Sequence, residues 1–348
     1  MKTLLAVGDM EDWDSYKKFI KQRKYCNKYN LKLKLLSYTD ALRGKFPKIS
    51  TKDIIIFYFF PFNYWDRNIE SKRYKGVYGN KTFYTKFKKF WKQIDSKITR
   101  NYSGNTLFYV NPPGKVHIDR DKEHTKQILS KSGLKVSTEF SARDVNKILQ
   151  LLEHGKKLFI KVRYGSMGKG ITYLEKGRWL TNFRFRENKI LSRKSDYGWT
   201  FIDITNNKKF LKQLLKADII IEEGISPYLL AGRKFDFRAY VCFGKVLYLY
   251  PRSNESISVT TNISQGAIGE SQTFLERIPK KLYDISLDAA IRAAKAMRLN
   301  SCGVDIMPNS DGTSVTVIEA NAFPGFPKIK SFNLARYLIK EIAGHKWR

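Results

Sequence analysis

The chain has 348 residues, 42% hydrophobic and 14% aromatic, which is enough apolar material for two or three units with cores and excludes a mainly disordered state. Lysine and arginine total 65 against 32 acidic residues, a net charge of +33 that draws anions such as nucleic acid, acidic peptide, anionic lipid or polyphosphate; a solvated basic surface is the alternative. Three isolated cysteines and four scattered histidines suggest neither a disulfide framework nor a zinc site, and no apolar run reaches the roughly 20 residues of a membrane span, so a soluble cytoplasmic protein is expected.

In chain order, Leu4-Leu5-Ala6-Val7 reads as a short buried strand, 14–27 as a helix and 31–37 as the next strand. Residues 54–60 are β-branched and aromatic and form a third strand closed by Pro61. Together they predict an α/β unit with a small parallel sheet. Residues 64–102 are intensely basic and aromatic. Lys86, Lys88, Lys89 and Lys92 beside Phe87, Phe90 and Trp91 suit a helix with its aromatics in the core, and they also suit an anionic polymer. Asn111-Pro112-Pro113-Gly114 is the clearest break. It leads to a division into 1–112, 113–228 and 229–348. Beyond it lie a helix over 121–132 ended by Gly133, a β-rich stretch over 158–174 and a strand over 217–223. Two strands flank Gly244, an Ala-rich helix covers 285–297, and a hairpin joins 304–307 to 315–321.

Three constellations carry chemistry. In Lys161-Val162-Arg163-Tyr164-Gly165-Ser166-Met167-Gly168-Lys169-Gly170 a strand runs into a glycine-rich loop and out into another strand, unlike a Walker loop, which opens a helix. Glycines let backbone N–H groups approach phosphate oxygens, and alternation puts Phe159, Lys161 and Arg163 on one face. A tight hairpin explains this loop equally well. In the second, alternation sets Glu319 and Asn321 on one face, and a hairpin centred on Gly312 sets Asp305 opposite Glu319. Three hard oxygen ligands then converge as magnesium requires; a polar surface hairpin is the alternative. In the third, Asp236, Arg238 and Tyr240 share one strand face and Phe235, Phe237 and Ala239 the other, as in a strand lining a cleft over a core. Arg252 and Thr260-Thr261-Asn262 follow at distances suited to neighbouring strands.

In this order the motifs resemble the ATP-grasp superfamily, most closely its RimK-like carboxylate–amine ligase branch, over residues 115–327; the stretch 234–241 with Thr261-Asn262 is also similar to tubulin–tyrosine-ligase-like enzymes. The resemblance implies an α/β (α+β) architecture, an N-terminal α/β unit followed by two lobes that clamp ATP. It implies that Lys122 and Lys161 bind ATP, that Gly165, Ser166, Gly168, Lys169 and Gly170 form the phosphate-covering loop, and that Glu222, Glu223 and Ile225 form the adenine hinge. Gly224 stands there where a bulky residue is common. Asp236 takes the ribose side, Arg238 and Arg252 the catalytic positions and Asn262 a phosphate and metal contact. Asp305, Glu319 and Asn321 hold magnesium, with two ions expected. Residues 179–201 read as an insertion without a transferable role.

The implied reaction phosphorylates a carboxylate to an acylphosphate, which an amine converts to an amide with release of ADP and phosphate. The fold also hosts kinases that phosphorylate a hydroxyl, and the charge leaves open a nucleic-acid-binding protein on the same scaffold. The expected partners are ATP, an unnamed acid and amine, and a polyanion such as an acidic peptide or nucleic acid; self-association stays open.

Overall fold

Three β-sheets succeed one another along the chain in the computed structural model, which describes residues 1–12, 14–70, 76–187, 189–191, 200–329 and 332–347. The first holds β1 (Lys2–Val7), β2 (Leu31–Leu36), β3 (Asp53–Tyr58) and β4 (Thr106–Tyr109), all parallel in the order β2-β1-β3-β4. Such strands are covered on both faces, which is why Leu4-Leu5-Ala6-Val7 and Ile54-Ile55-Ile56 read as unbroken apolar runs. Leu5, Val7, Ile54 and Ile56 pack into one core, Leu4, Ala6 and Ile55 into another.

Its helices are α1 (Asp14–Ile20), α2 (Arg23–Lys28), α3 (Tyr38–Arg43), the single turn α4 (Phe62–Tyr64) and α5 (Lys81–Asn101). The single helix expected over 14–27 is two, because the chain turns at residues 21 and 22 before α2 begins. In α5 the Asn80 side chain accepts from Thr82 N at 2.9 Å and caps the N-terminus. Phe83, Phe87, Phe90, Trp91, Ile94 and Ile98 recur at helical spacing and are buried, each contributing roughly 1.5–3 kcal/mol. The four lysines at 86, 88, 89 and 92 stand exposed on the other side.

After α6 (Lys122–Lys131) and α7 (Val145–Glu153), the second sheet is antiparallel: β5 (Leu158–Val162), β6 (Ile171–Glu175), β7 (Arg178–Thr181), β10 (Ile202–Asp203) and β11 (Ile219–Glu223), ordered β10-β7-β6-β5-β11. The short pair β8 (Phe185–Arg186) and β9 (Lys189–Ile190) and the helix α8 (Lys208–Leu214) complete this lobe. Within the segment read as an insertion, residues 192–199 lie outside the described residues.

The third sheet holds β12 (Leu229–Leu230), β13 (Arg233–Cys242), β14 (Lys245–Glu255), β15 (Ile268–Gly269), β16 (Ser301–Pro308) and β17 (Val315–Asn321) in the order β15-β14-β13-β16-β17, with β12 beside β13. Helices α9 (Gln272–Glu276) and α10 (Lys280–Met297) follow β15, and Ala289, Ala290, Ala293 and Ala294 of α10 are buried in the main core. The last helix, α11 (Leu334–Gly344), returns to the N-terminal unit against α1 and α2, and Leu338, Ile339 and Ile342 share a core with Phe19 and Phe57. Among the described residues no helix is long and apolar enough to cross a membrane.

Candidate active site

Between the second and third sheets lies a cleft of about 740 Å³. Every residue singled out in the sequence for nucleotide, metal or catalysis lines it except Gly170 and Arg163. Gly170 instead packs behind the loop: its carbonyl accepts from Val162 N at 3.0 Å, and a Cβ there would come within 2.9 Å of Val162.

The floor is built by register. Asp305 faces Glu319 across β16 and β17, Arg238 faces Asp305 across β13 and β16, and Asp236 faces Arg252 across β13 and β14. The predicted hairpin register is therefore the observed one. Phe235, Phe237 and Ala239, on the reverse of β13, are fully buried and anchor that strand in the core. Arg252 grips Asp236 at 2.8 and 2.5 Å and reaches Asp305 at 3.3 Å, while Arg238 holds Asp305 through Nε and, at 2.6 Å, Nη2. Glu319 takes Asn321 Nδ2 at 2.9 Å and has Lys122 Nζ at 3.8 Å. Burial would raise the Glu319 carboxyl, but Lys122 and Arg238 hold it well below the usual carboxylate range.

The donors Asp305, Glu319 and Asn321 are hard oxygen groups on adjacent strands; Lys122 and Arg238 keep Glu319 ionised, while burial pushes the Asp305 carboxyl up against the pull of Arg238 and Arg252, a cost that a bound cation would offset, so the set fits magnesium. No cluster of three His, Cys, Asp or Glu side chains suited to a metal occurs among the described residues. The third member of the set, Asn321, is an amide.

The roof comes from β5, β11 and the glycine-rich loop. Asp121 caps α6 through His124 N at 3.2 Å and clasps Arg163 at 2.8 Å through both oxygens. Lys122 N donates to Arg163 O at 3.1 Å. These ties bring the start of α6 to the end of β5 and so converge Lys122 and Lys161. They also separate Arg163 from Lys161, with which alternation put it on one face: it is engaged by Asp121 and Glu123 outside the cleft, because β5 ends at Val162. Lys161 Nζ donates to Glu222 at 2.5 Å, and Lys126 pairs with the same carboxylate. Burial opposes ionisation of Glu222, yet the two lysines bring it down to about 2.

At the hinge, Glu223 N donates to Thr138 O at 2.8 Å and Gly224 N to Lys157 O at 2.7 Å. Gly224 is small for a reason: a Cβ would come within 3.1 Å of the Lys157 Cβ and 3.3 Å of its carbonyl. The loop bridges to the third sheet, since Gly168 O accepts from Gln265 Nε2 at 2.8 Å, and a Cβ on Gly168 would lie 2.7 Å from Asn262 Nδ2.

Three further charged groups were missed in the sequence. Lys126 stands four residues after Lys122, one helical turn along the same face, a spacing that could have shown it. Arg120 lines the cleft, buried, paired with Asp119 at 3.1 and 3.0 Å and lying over Phe60 at 5.5 Å. Lys234 donates to Ser258 O, and its burial brings its ammonium down to about 8. Lys234 stands two residues before Asp236, and the alternation of β13 could have shown it; for Arg120 no local pattern was available.

Curated relatives are named as ligases. A probable alpha-L-glutamate ligase of Shewanella loihica is 28% identical over 235 residues, covering 67% of this chain and 65% of that protein. Its Marinomonas counterpart is 24% identical over 250 residues, 70% of each chain. The chain thus spans about 65% of the length of the Shewanella relative. Among solved structures, D-cycloserine synthetase DcsG aligns with TM-score 0.57 at 12% identity over 98% of both chains. The ATP-grasp ligase PsnB, complexed with minimal precursor, Mg and ADP, aligns with TM-score 0.53 at 14% identity over 97% of both. These likenesses carry the fold, α/β with an ATP-grasp arrangement. A model of YheC/D-like ATP-grasp proteins matches residues 121–340, well over half of the chain, and the chain belongs to that family.

Proposed function

We propose that the protein is an ATP-dependent carboxylate–amine ligase that forms an amide through an acylphosphate and releases ADP and phosphate. The observation that carries this reading is the charge row across four strands of the cleft floor, Arg252–Asp236 and Arg238–Asp305–Glu319, facing Lys122 and Lys161. Phosphoryl transfer asks mainly for positioning and charge neutralisation, and this row supplies both. The names of the curated relatives support it as well.

In this reading Lys122, Lys161 and the loop amides of 165–170 bind the phosphates, Ile225 the base, and Asp236 the ribose side. Asp305, Glu319 and Asn321 would hold magnesium, two ions by the resemblance, which supplies charge neutralisation at the phosphate oxygens when bound. A substrate carboxylate oxygen attacks the γ-phosphorus, and the bond to ADP breaks. Arg238 and Arg252 stabilise the negative charge on the transferred group. The amine then attacks the acyl carbon, phosphate leaves and the amine loses its proton. The cleft is walled on one side by apolar groups including Phe159 and Ile171, which limit water.

The finer substrate reading is a polyanion, an acidic peptide or protein tail, met by the exposed lysines of α5. A nucleotide needs only a few of the 33 excess positive charges. The test is turnover against a panel of acids and amines with mass spectrometry of products. ADP and phosphate should appear only when acid and amine are both present. AMP would remove the acylphosphate, and a stable phosphorylated product would install a kinase instead.

A further inference from the structure

The glycine-rich loop is held not only by the two lobes but also by the N-terminal unit. Lys169 Nζ donates to Glu70 Oε1 at 3.2 Å, and the two side chains are 6% and 2% exposed. Glu70 Oε2 accepts in turn from Trp65 Nε1 at 2.9 Å. Trp65 itself is buried among Phe60, Phe83 and Phe87. Tyr78 Oη accepts from Ser166 N at 3.3 Å, and Lys169 Nζ lies 5.7 Å over the Tyr78 ring. Backbone contact is equally close: Tyr164 N donates to Gly79 O at 3.0 Å, and a Cβ on Gly79 would lie 2.9 Å from Gly165 N. Between Trp65 and Glu70 runs a π-helical turn, Trp65–Ile69, closed by Glu70 N to Trp65 O at 2.8 Å. Such turns are rare and re-aim side chains, and here one brings the carboxylate and the indole N–H together.

We propose that Glu70 is a positioning residue for nucleotide binding: it orients Lys169, a cleft-lining cation of the phosphate-covering loop, so that the N-terminal unit forms a third wall of the nucleotide site. Lys169 sits between Gly168 and Gly170, both at positive φ, and such a backbone does little to aim a long side chain. A buried ion pair adds little net stability, because desolvation offsets the attraction, but it fixes orientation. The proposal rests on the nucleotide reading of the loop given above, and it extends that site to a unit the motif resemblance did not reach.

The experiment measures the dissociation constant of Mg·ATP on the full chain by calorimetry. Wild type, Glu70→Gln, Lys169→Met and the double variant are compared, each with its thermal midpoint. Glu70→Gln and Lys169→Met should each weaken binding about tenfold, the scale of one charge-assisted contact. The double variant should be no weaker than Lys169→Met, because Glu70 acts through that lysine. Trp65→Phe keeps the ring volume and removes only the N–H to Glu70. It should weaken binding by a smaller factor, with no further effect in the Lys169→Met background, and it serves if Glu70→Gln does not fold. Unchanged or tighter binding in Glu70→Gln overturns the proposal, as do losses that add in the double variant. So does unchanged affinity in Lys169→Met, which leaves the ligase reading standing. A wild type that binds no Mg·ATP sinks both.

Discussion

Helix α5 and strand β13 mix charged and aromatic residues alike, yet they make opposite use of them. In α5 the repeat of 3.6 residues sends six large apolar side chains into the core and leaves Lys86, Lys88, Lys89 and Lys92 in water. In β13 the repeat of two sends Phe235 and Phe237 into the core and Asp236 and Arg238 into a cleft walled by a second sheet. The cations of the helix keep their hydration, and a charge in water interacts weakly with its neighbours. The two arginines of the cleft floor are desolvated and matched by carboxylates, Arg238 of β13 by Asp305 and Arg252 of β14 by Asp236. Density of charge therefore does not mark the chemistry of this protein. Burial and cross-strand pairing do.

The contrast breaks most visibly at the cleft floor. Asp305→Asn and Glu319→Gln each remove one anionic oxygen and keep the shape, so ATP turnover should fall about a hundredfold to a thousandfold in a coupled ADP assay, with an unchanged circular dichroism spectrum. Near-wild-type turnover in both would take β16 and β17 out of the chemistry.

A smaller effect, on stability, is expected at Glu222. Glu222→Gln leaves Lys126 and Lys161 without their shared carboxylate and should cost about 3 kcal/mol in urea unfolding at neutral pH. The sign with pH follows from the depressed value. Glu222 titrates at about 2 when folded against 4.5 ordinarily, so its contribution is complete above pH 4.5 and is lost as pH falls toward 2. The gap between wild type and Glu222→Gln should therefore narrow over that window. A gap that stays constant from pH 5 to pH 2 would show that the carboxylate is not what holds the lysines.

The smallest effect on nucleotide belongs to α5. Changing Lys86, Lys88, Lys89 and Lys92 together to glutamine should leave Mg·ATP affinity unaltered and flatten the salt dependence of binding to poly-glutamate or RNA. For nucleic acid the log–log slope should lose about 0.7–0.9 for each phosphate contact removed. The same slope in both proteins, or no polyanion binding at low salt, would make the helix face a solvated surface only.

Much of the fold was legible because its signals are local. The apolar runs at β1 and β3 announced a parallel sheet, and Phe87, Phe90 and Trp91 beside the lysines announced a helix. The clearest case is the hairpin around Gly312, where Asp305 was expected opposite Glu319 and stands there, across an irregularity between Asp305 and Ile306 that shifts the register by one. Other elements were hidden. Helix α11 is amphipathic, but nothing within it says that its apolar face packs on α1 and α2, more than 300 residues earlier. The break between α1 and α2 lies inside a stretch whose helical period continues through it.

By itself the sequence determined which residues would share a face wherever they lie on one strand, because the pleat follows from chain geometry alone. Only the tertiary structure decided which cations enter the cleft. Arg163 has the right alternation to join Lys161, yet Asp121, 42 residues away, draws it out. Lys169 stands on a loop that leaves its direction open, and Glu70, 99 residues away, sets it. Long charged side chains carry several rotatable bonds, so their direction is chosen by the nearest desolvated partner, and that partner is known only once the chain has folded.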